Sequence, residues 1–137
     1  MTTRITTLLG SILLLMATMA SAQTVHFTVP FSFVAGSKSL PAGDYAIELK
    51  RVAGAMVLRS EDRSGKSVMM LANNSDWTRN PDKTYAIFQR YGAQYFLAEV
   101  WREGAGQTLI RGSLERELAS KHTKVEVARV EARLSPR

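Results

Sequence analysis

The side chains that most often do chemistry are scarce in this 137-residue chain, and that scarcity narrows the reactions open to it. There is no cysteine, which removes thiol nucleophiles, zinc–thiolate centres and redox pairs together. The only imidazoles are His26 and His122, too few for a histidine-rich metal site. A serine hydrolase needs a serine, a base and an orienting acid. No Gly-x-Ser-x-Gly elbow occurs, His26 falls in an extended stretch, and His122 lies just past a helical one. Carboxylates sit in turns or alternate outward along strands, and nothing marks a paired-carboxylate glycosidase site. Ser64-Gly65-Lys66-Ser67 resembles the end of a phosphate-binding loop, but that motif demands glycine where Ser60 stands, so it reads as a turn. No catalytic residue, metal or cofactor is expected.

What remains is aromatic and guanidinium chemistry. Arg90, Tyr95 and Trp101 share one apolar segment, and Trp77 lies in the irregular stretch Asn73–Asp82 (NNSDWTRNPD). Trp, Tyr and Arg carry much of the contact energy in protein interfaces. These four are the candidate ligand- or partner-contacting residues. The competing reading is a second, smaller core beneath a helix.

The elements that must position them are short apolar runs, rich in β-branched and aromatic residues and separated by Gly, Pro, Asn and Asp. That pattern belongs to antiparallel β structure. Thr24–Val29 and Phe31–Val34 are interrupted by Pro30, which places them at an edge or at a bend between sheets. Leu40-Pro41-Ala42-Gly43 reads as a turn into Asp44–Arg51, and Ala53-Gly54 closes a hairpin into Met56–Ser60. In Ser67–Ala72, Val68 to Leu71 are apolar on both faces, which predicts a strand covered on each side.

Lys83–Tyr91 and Gln94–Arg102 flank Gly92-Ala93, a pair suited to a two-residue turn. That register opposes Tyr91 to Gln94, Phe88 to Leu97 and Tyr85 to Val100. It assigns Tyr85, Ile87, Phe96, Ala98 and Val100 to the core face. Phe88, Tyr95, Leu97 and Trp101, with Arg90 and Glu99, then form a mixed face that is half-covered or available for binding. Gly104-Ala105-Gly106 reads as a turn before a short strand at Thr108–Arg111. A helix is predicted over about 113–121, capped by Ser113, with Leu114 and Leu118 as its apolar edge. Residues 124–137 fit strand alternation and helical spacing equally, and read as a flexible or weakly docked tail. The fold class expected is all-β and mainly antiparallel: a small β-sandwich or partly closed barrel with one C-terminal helix.

The first 22 residues have the three zones of a secretory signal: Arg4, the uncharged run Leu8–Met19, and Ala20-Ser21-Ala22 as the cleavage pattern. Cleavage at Ala22/Gln23 leaves one domain, with residues 23–123 as its β-rich body, and predicts a periplasmic or extracellular destination. No later stretch is long and apolar enough to span a membrane as a helix. The net charge is +6, but basic residues are scattered and interrupted by acids such as Glu61 and Asp62. Solvated strand faces account for that spread, and no nucleic-acid partner is expected.

Several strings carry a resemblance. They are Val29-Pro30-Phe31-Ser32-Phe33, Leu40-Pro41-Ala42-Gly43-Asp44-Tyr45, Arg90-Tyr91-Gly92 with Gln94-Tyr95-Phe96-Leu97 and Val100-Trp101, and Glu115-Arg116-Glu117-Leu118-Ala119. In these the chain resembles a family of small exported β-rich proteins of environmental bacteria whose function is not established. The resemblance covers about residues 25–120. It implies a self-contained domain and brings no catalytic residues. The leading functional expectation is a non-enzymatic envelope or secreted binding module for a protein or polysaccharide partner. Its rivals are a small hydrolase with a dispersed Asp/Glu/His site and an electrostatic binder of anionic envelope polymer.

Overall fold

A computed structural model describes residues 24–49, 54–75, 82–121 and 124–135. The signal segment 1–22, Trp77 and His122 lie outside them.

Ten strands form in chain order: β1 (Thr24–Val29), β2 (Phe33–Ala35), β3 (Lys38–Leu40), β4 (Gly43–Leu49), β5 (Ala55–Ser60), β6 (Ser67–Ser75), β7 (Tyr85–Tyr91), β8 (Gln94–Arg102), β9 (Ala105–Leu109) and β10 (Glu126–Leu134). One helix, α1 (Ser113–Lys121), precedes the last strand. Eight strands close into a ring in the order β1-β4-β5-β6-β9-β8-β7-β10, every neighbouring pair antiparallel. The fold is all-β, a small closed barrel with one helix outside it. At eight strands the interior is just wide enough to be filled by side chains, and here it is filled. Phe88 sits at its hub, with ring centres 5.2 Å from both Phe31 and Phe33 and 6.5 Å from Phe27. No helix among the described residues is long and apolar enough to cross a membrane.

Pro30 marks the bend after β1. The chain then leaves the ring, pairs β2 in parallel with the start of β8, and turns back as β3, whose only strand partner among the described residues is β2. The stretch read as a tail is the strand that completes the barrel. β10 pairs with β7 over Glu126–Glu131 and with β1 over Ala132–Leu134. Its inward residues are small or aliphatic (Ala128, Val130, Ala132, Leu134) and pack against the core while remaining half-exposed.

The β7–β8 hairpin turns at Gly92 (φ 61°), in the left-handed region that the two-residue turn requires. Tyr91 opposes Gln94 and Phe88 opposes Leu97, as the turn predicts. A bulge between Ile87 and Phe88 then leaves Ala98 unpaired, so Tyr85 faces Trp101 rather than Val100. The two faces are also exchanged along β7 and the turn-side part of β8, while beyond the bulge Val100 keeps its expected core position and Trp101 stays outside it. Phe88 and Leu97 lie in the barrel core with Val100, whereas Tyr85, Phe96 and Ala98 are buried outside that core cluster. Both faces are apolar, so hydrophobicity alone could not tell inside from outside. The turn expected at residues 104–106 lies at Glu103-Gly104, and Gly106 belongs to β9.

Helix α1 starts where predicted, but Gly112 rather than Ser113 caps it, accepting the first helical bond from the Arg116 N–H. Its docking residue is Glu115, which is buried, while Leu114 is 46% exposed. The Tyr91 hydroxyl donates to Glu115 Oε1 at 3.4 Å, and Arg111 Nε lies 3.7 Å from the same oxygen. Burial raises the Glu115 pKa above its ordinary 4.5, and the Arg111 charge and the Tyr91 bond oppose that rise only in part. A raised carboxyl binds its proton more tightly in the folded state. Its contribution is most favourable at low pH and is lost as pH climbs through the folded pKa. Glu115→Gln keeps the acceptor for Tyr91 and removes the titration. The variant should therefore match wild type in melting temperature near about pH 4 and exceed it near about pH 7. Thermal melts of both proteins across that range check it.

Candidate interaction site

Four residues were singled out from the sequence, and the structure separates them. Arg90 and Tyr95 come together at one end of the barrel, the guanidinium carbon 5.4 Å from the ring centre. Tyr95 stacks on Phe31 at 3.9 Å. Arg90 donates to the Gly92 carbonyl at 2.7 Å and to Glu126 Oε2 at 3.1 Å, which ties β10 to the hairpin. Both remain partly exposed, the Arg90 side chain by 41%. Trp101 lies on the other face of the hairpin, 6% exposed, stacked on Tyr85 and donating its indole N–H to Glu99 Oε2 at 2.7 Å. It is a packed residue rather than part of an open contact strip. Trp77 lies outside the described residues.

A polar groove of about 440 Å³ runs between β1 and β10, lined in part by His26, Asp44, Glu61 and Glu131. His26 Nδ1 is 2.5 Å from Glu61 Oε1, and Nε2 is 2.7 Å from Ser135 Oγ. This is the connectivity of a serine–histidine–acid chain, assembled from three distant points in the sequence. A nucleophilic serine also needs N–H donors for the developing oxyanion, commonly its own N–H or that of the next residue. The Ser135 N–H is bonded to the Thr24 carbonyl at 3.0 Å, and residue 136 is proline, which has no N–H. The other acids of the groove are also engaged, Asp44 by the Thr28 hydroxyl and Glu131 by Arg129. No cluster of three metal-ligating side chains occurs among the described residues. The geometry fits a clasp that fastens the end of β10 to β1 and to the β5–β6 loop.

On β6 the outer face is left open by the described elements. Its inward residues Val68, Met70 and Ala72 are buried, as strand alternation requires, but the outward Met69 and Leu71 are 71% and 63% exposed. The expectation that β6 is covered on both sides is therefore corrected: it is interior to the sheet and bare on its outer face. Val57 opposes Met69 and Ala55 opposes Leu71 across the β5–β6 ladder, so they share that face. Ile110, 53% exposed, extends it on the other side, its N–H bonded to the Leu71 carbonyl at 3.0 Å. The Arg59–Glu48 ion pair (3.2 Å) lies on the same outer side at one end, and Asn73 and Thr108 at the other. An apolar patch with a polar rim is what a docking surface looks like.

One edge of β6 is open as well. β9 pairs with β6 only over Ala72–Ser75, and the backbone of Ser67–Leu71 has β5 as its only strand partner among the described residues. The Lys66 carbonyl and the Ala72 N–H bond toward β5, whereas the Leu71 carbonyl bonds toward β9. By alternation, the N–H and C=O groups of Ser67 and Met69 also point away from β5. Those of Ser67 face the edge of β3 that has no strand partner among the described residues, across a cleft of about 350 Å³ lined by Lys38, Ser39, Leu40, Lys66, Ser67 and Val68, whereas at Met69 the gap is closed by the β2–β3 turn, a Cβ at Gly36 lying 4.0 Å from the Met69 carbonyl oxygen. The sequence offered one signal for this site, the run Val68-Met69-Met70-Leu71, which was read as doubly buried. Lys66 was seen only as part of a turn. Comparison with protein-family models, curated proteins and solved structures finds no match to the chain.

Proposed function

We propose that this protein is an exported, non-enzymatic interaction module that engages a protein partner through the outer face of β6. The observation that carries the reading is the apolar patch of Met69, Leu71 and Ile110, left bare on a barrel whose interior is otherwise well filled. Methionine suits such a surface because its flexible, polarisable side chain adapts to a partner. The N-terminal signal pattern supports a partner in the periplasm or outside the cell. The hydrolase reading has the His26 chain in its favour and against it the engagement of the Ser135 N–H by the Thr24 carbonyl.

The test is Met69→Lys combined with Leu71→Lys. Both side chains point outward, so the double variant should keep the wild-type melting temperature. Wild type carrying an affinity tag should retain a protein from envelope extract that the variant loses. Identical retention by the two would remove β6 from the interaction.

A further inference from the structure

The proposed docking surface leaves its partner undefined, and the open edge beside it narrows the choice. Resting on the reading of β6 as the interaction element, we infer that the cleft between β3 and β6 accepts an extended acidic peptide segment as an added strand.

Three observations converge on that occupant. The walls are two strand edges, and unpaired N–H and C=O groups on an edge are a template for another strand. By the same alternation β3 turns the N–H and C=O of Ser39 away from β2, and Ser67 of β6 offers its outward-pointing groups opposite. The cleft volume of about 350 Å³ is at the lower end of the usual range for ligand sites, suited to a few residues rather than a folded domain. Leu40 and Val68 are buried at the base of the walls, so inward-facing side chains of the segment would meet apolar surface.

Charge then selects among strands. Lys38 and Lys66 stand one on each wall, Lys66 within electrostatic reach of Asp62, and neither forms a salt bridge with another described residue. Lysines on an edge deter pairing with an uncharged or basic strand. A second copy of this chain would bring the same lysines and its own +6 charge to the contact. An acidic segment instead gains at both walls. The neighbouring Met69–Leu71 patch could take apolar side chains as that segment leaves the cleft.

The probe is a synthetic peptide in which valine and glutamate alternate, added to the purified protein, with hydrogen exchange of backbone amides as the readout. Saturating peptide should slow exchange at Ser67, and raising the salt should weaken binding. Methylating alternate peptide nitrogens should abolish the protection, because it removes ladder donors while leaving the charge intact. Lys38→Glu with Lys66→Glu should weaken the acidic peptide at least about tenfold and favour a valine–lysine peptide instead. Equal binding of the methylated peptide would overturn strand addition and leave only electrostatic attraction. Unchanged exchange at Ser67 would overturn the site. Protection that grows with protein concentration and ignores peptide would assign the edge to a second copy. If the peptide fails while the Met69/Leu71 variant still loses its partner, the patch stands and the cleft falls.

Discussion

Replacing Trp101 by alanine is expected to cost about 3–5 kcal/mol of stability, the range for truncating a large buried aromatic. For a domain of this size that lowers the melting temperature by roughly 10–20 °C. The reason lies in what the indole covers. Trp101 pairs with Gly106 across β8 and β9, and a Cβ at Gly106 would meet the indole ring at 2.6 Å. The ring lies flat on the glycine and shields that stretch of ladder. Gly106→Ala should therefore be destabilising on its own, by about 1–3 kcal/mol through overpacking. In a Trp101→Ala background the same substitution should cost much less, because the obstructing ring is gone. Denaturant melts of the two single variants and the double variant test this coupling. Strict additivity would show that the ring does not depend on the bare glycine. A Trp101→Ala protein that melts like wild type would return Trp101 to the exposed surface.

A chain ending at Lys121 should lose its cooperative thermal transition altogether. β10 supplies hydrogen bonds on both of its sides, and removing it opens the edges of β1 and β7 and bares one side of the core. It also removes Glu126, the acidic partner of Arg90, and Ser135, the far end of the His26 clasp. Circular dichroism on heating, together with light scattering for association, separates the outcomes. A truncated protein with an unchanged melting temperature would mean the segment is only a docked extension.

These two expectations mark where the sequence was readable. Strand alternation around Tyr45, Ile47 and Leu49, and the turn at Gly92, located elements well because their causes are local. The last strand was not separable from a helix, since Glu126–Leu134 carries both periodicities and only its long-range partners decide. The hairpin faces exchanged for a related reason. Ala98 carries no mark of a bulge, and an outer face covered by Glu115 and the Trp101–Gly106 contact is as apolar as an inner one. The candidate site was half visible. The Val68–Leu71 run announced a strand with two apolar faces, but only the absence of any element over Met69 and Leu71 turned one of them into a surface. His26, Glu61 and Ser135 could not have been joined from sequence, because the register of β1 against β10 and β4 brings them together.

The position of β10 also governs the order in which the molecule can be made. The first strand of the barrel has the last as its neighbour, and the clasp that fixes them joins residues 109 positions apart. Closing so long a loop carries an entropic cost that local hairpins avoid, and topologies of this kind fold slowly. Without β10 in place, β1 has β4 on one side and no strand of the ring on the other. The first strand of the ring must wait for β10, and until it docks the barrel remains an open sheet.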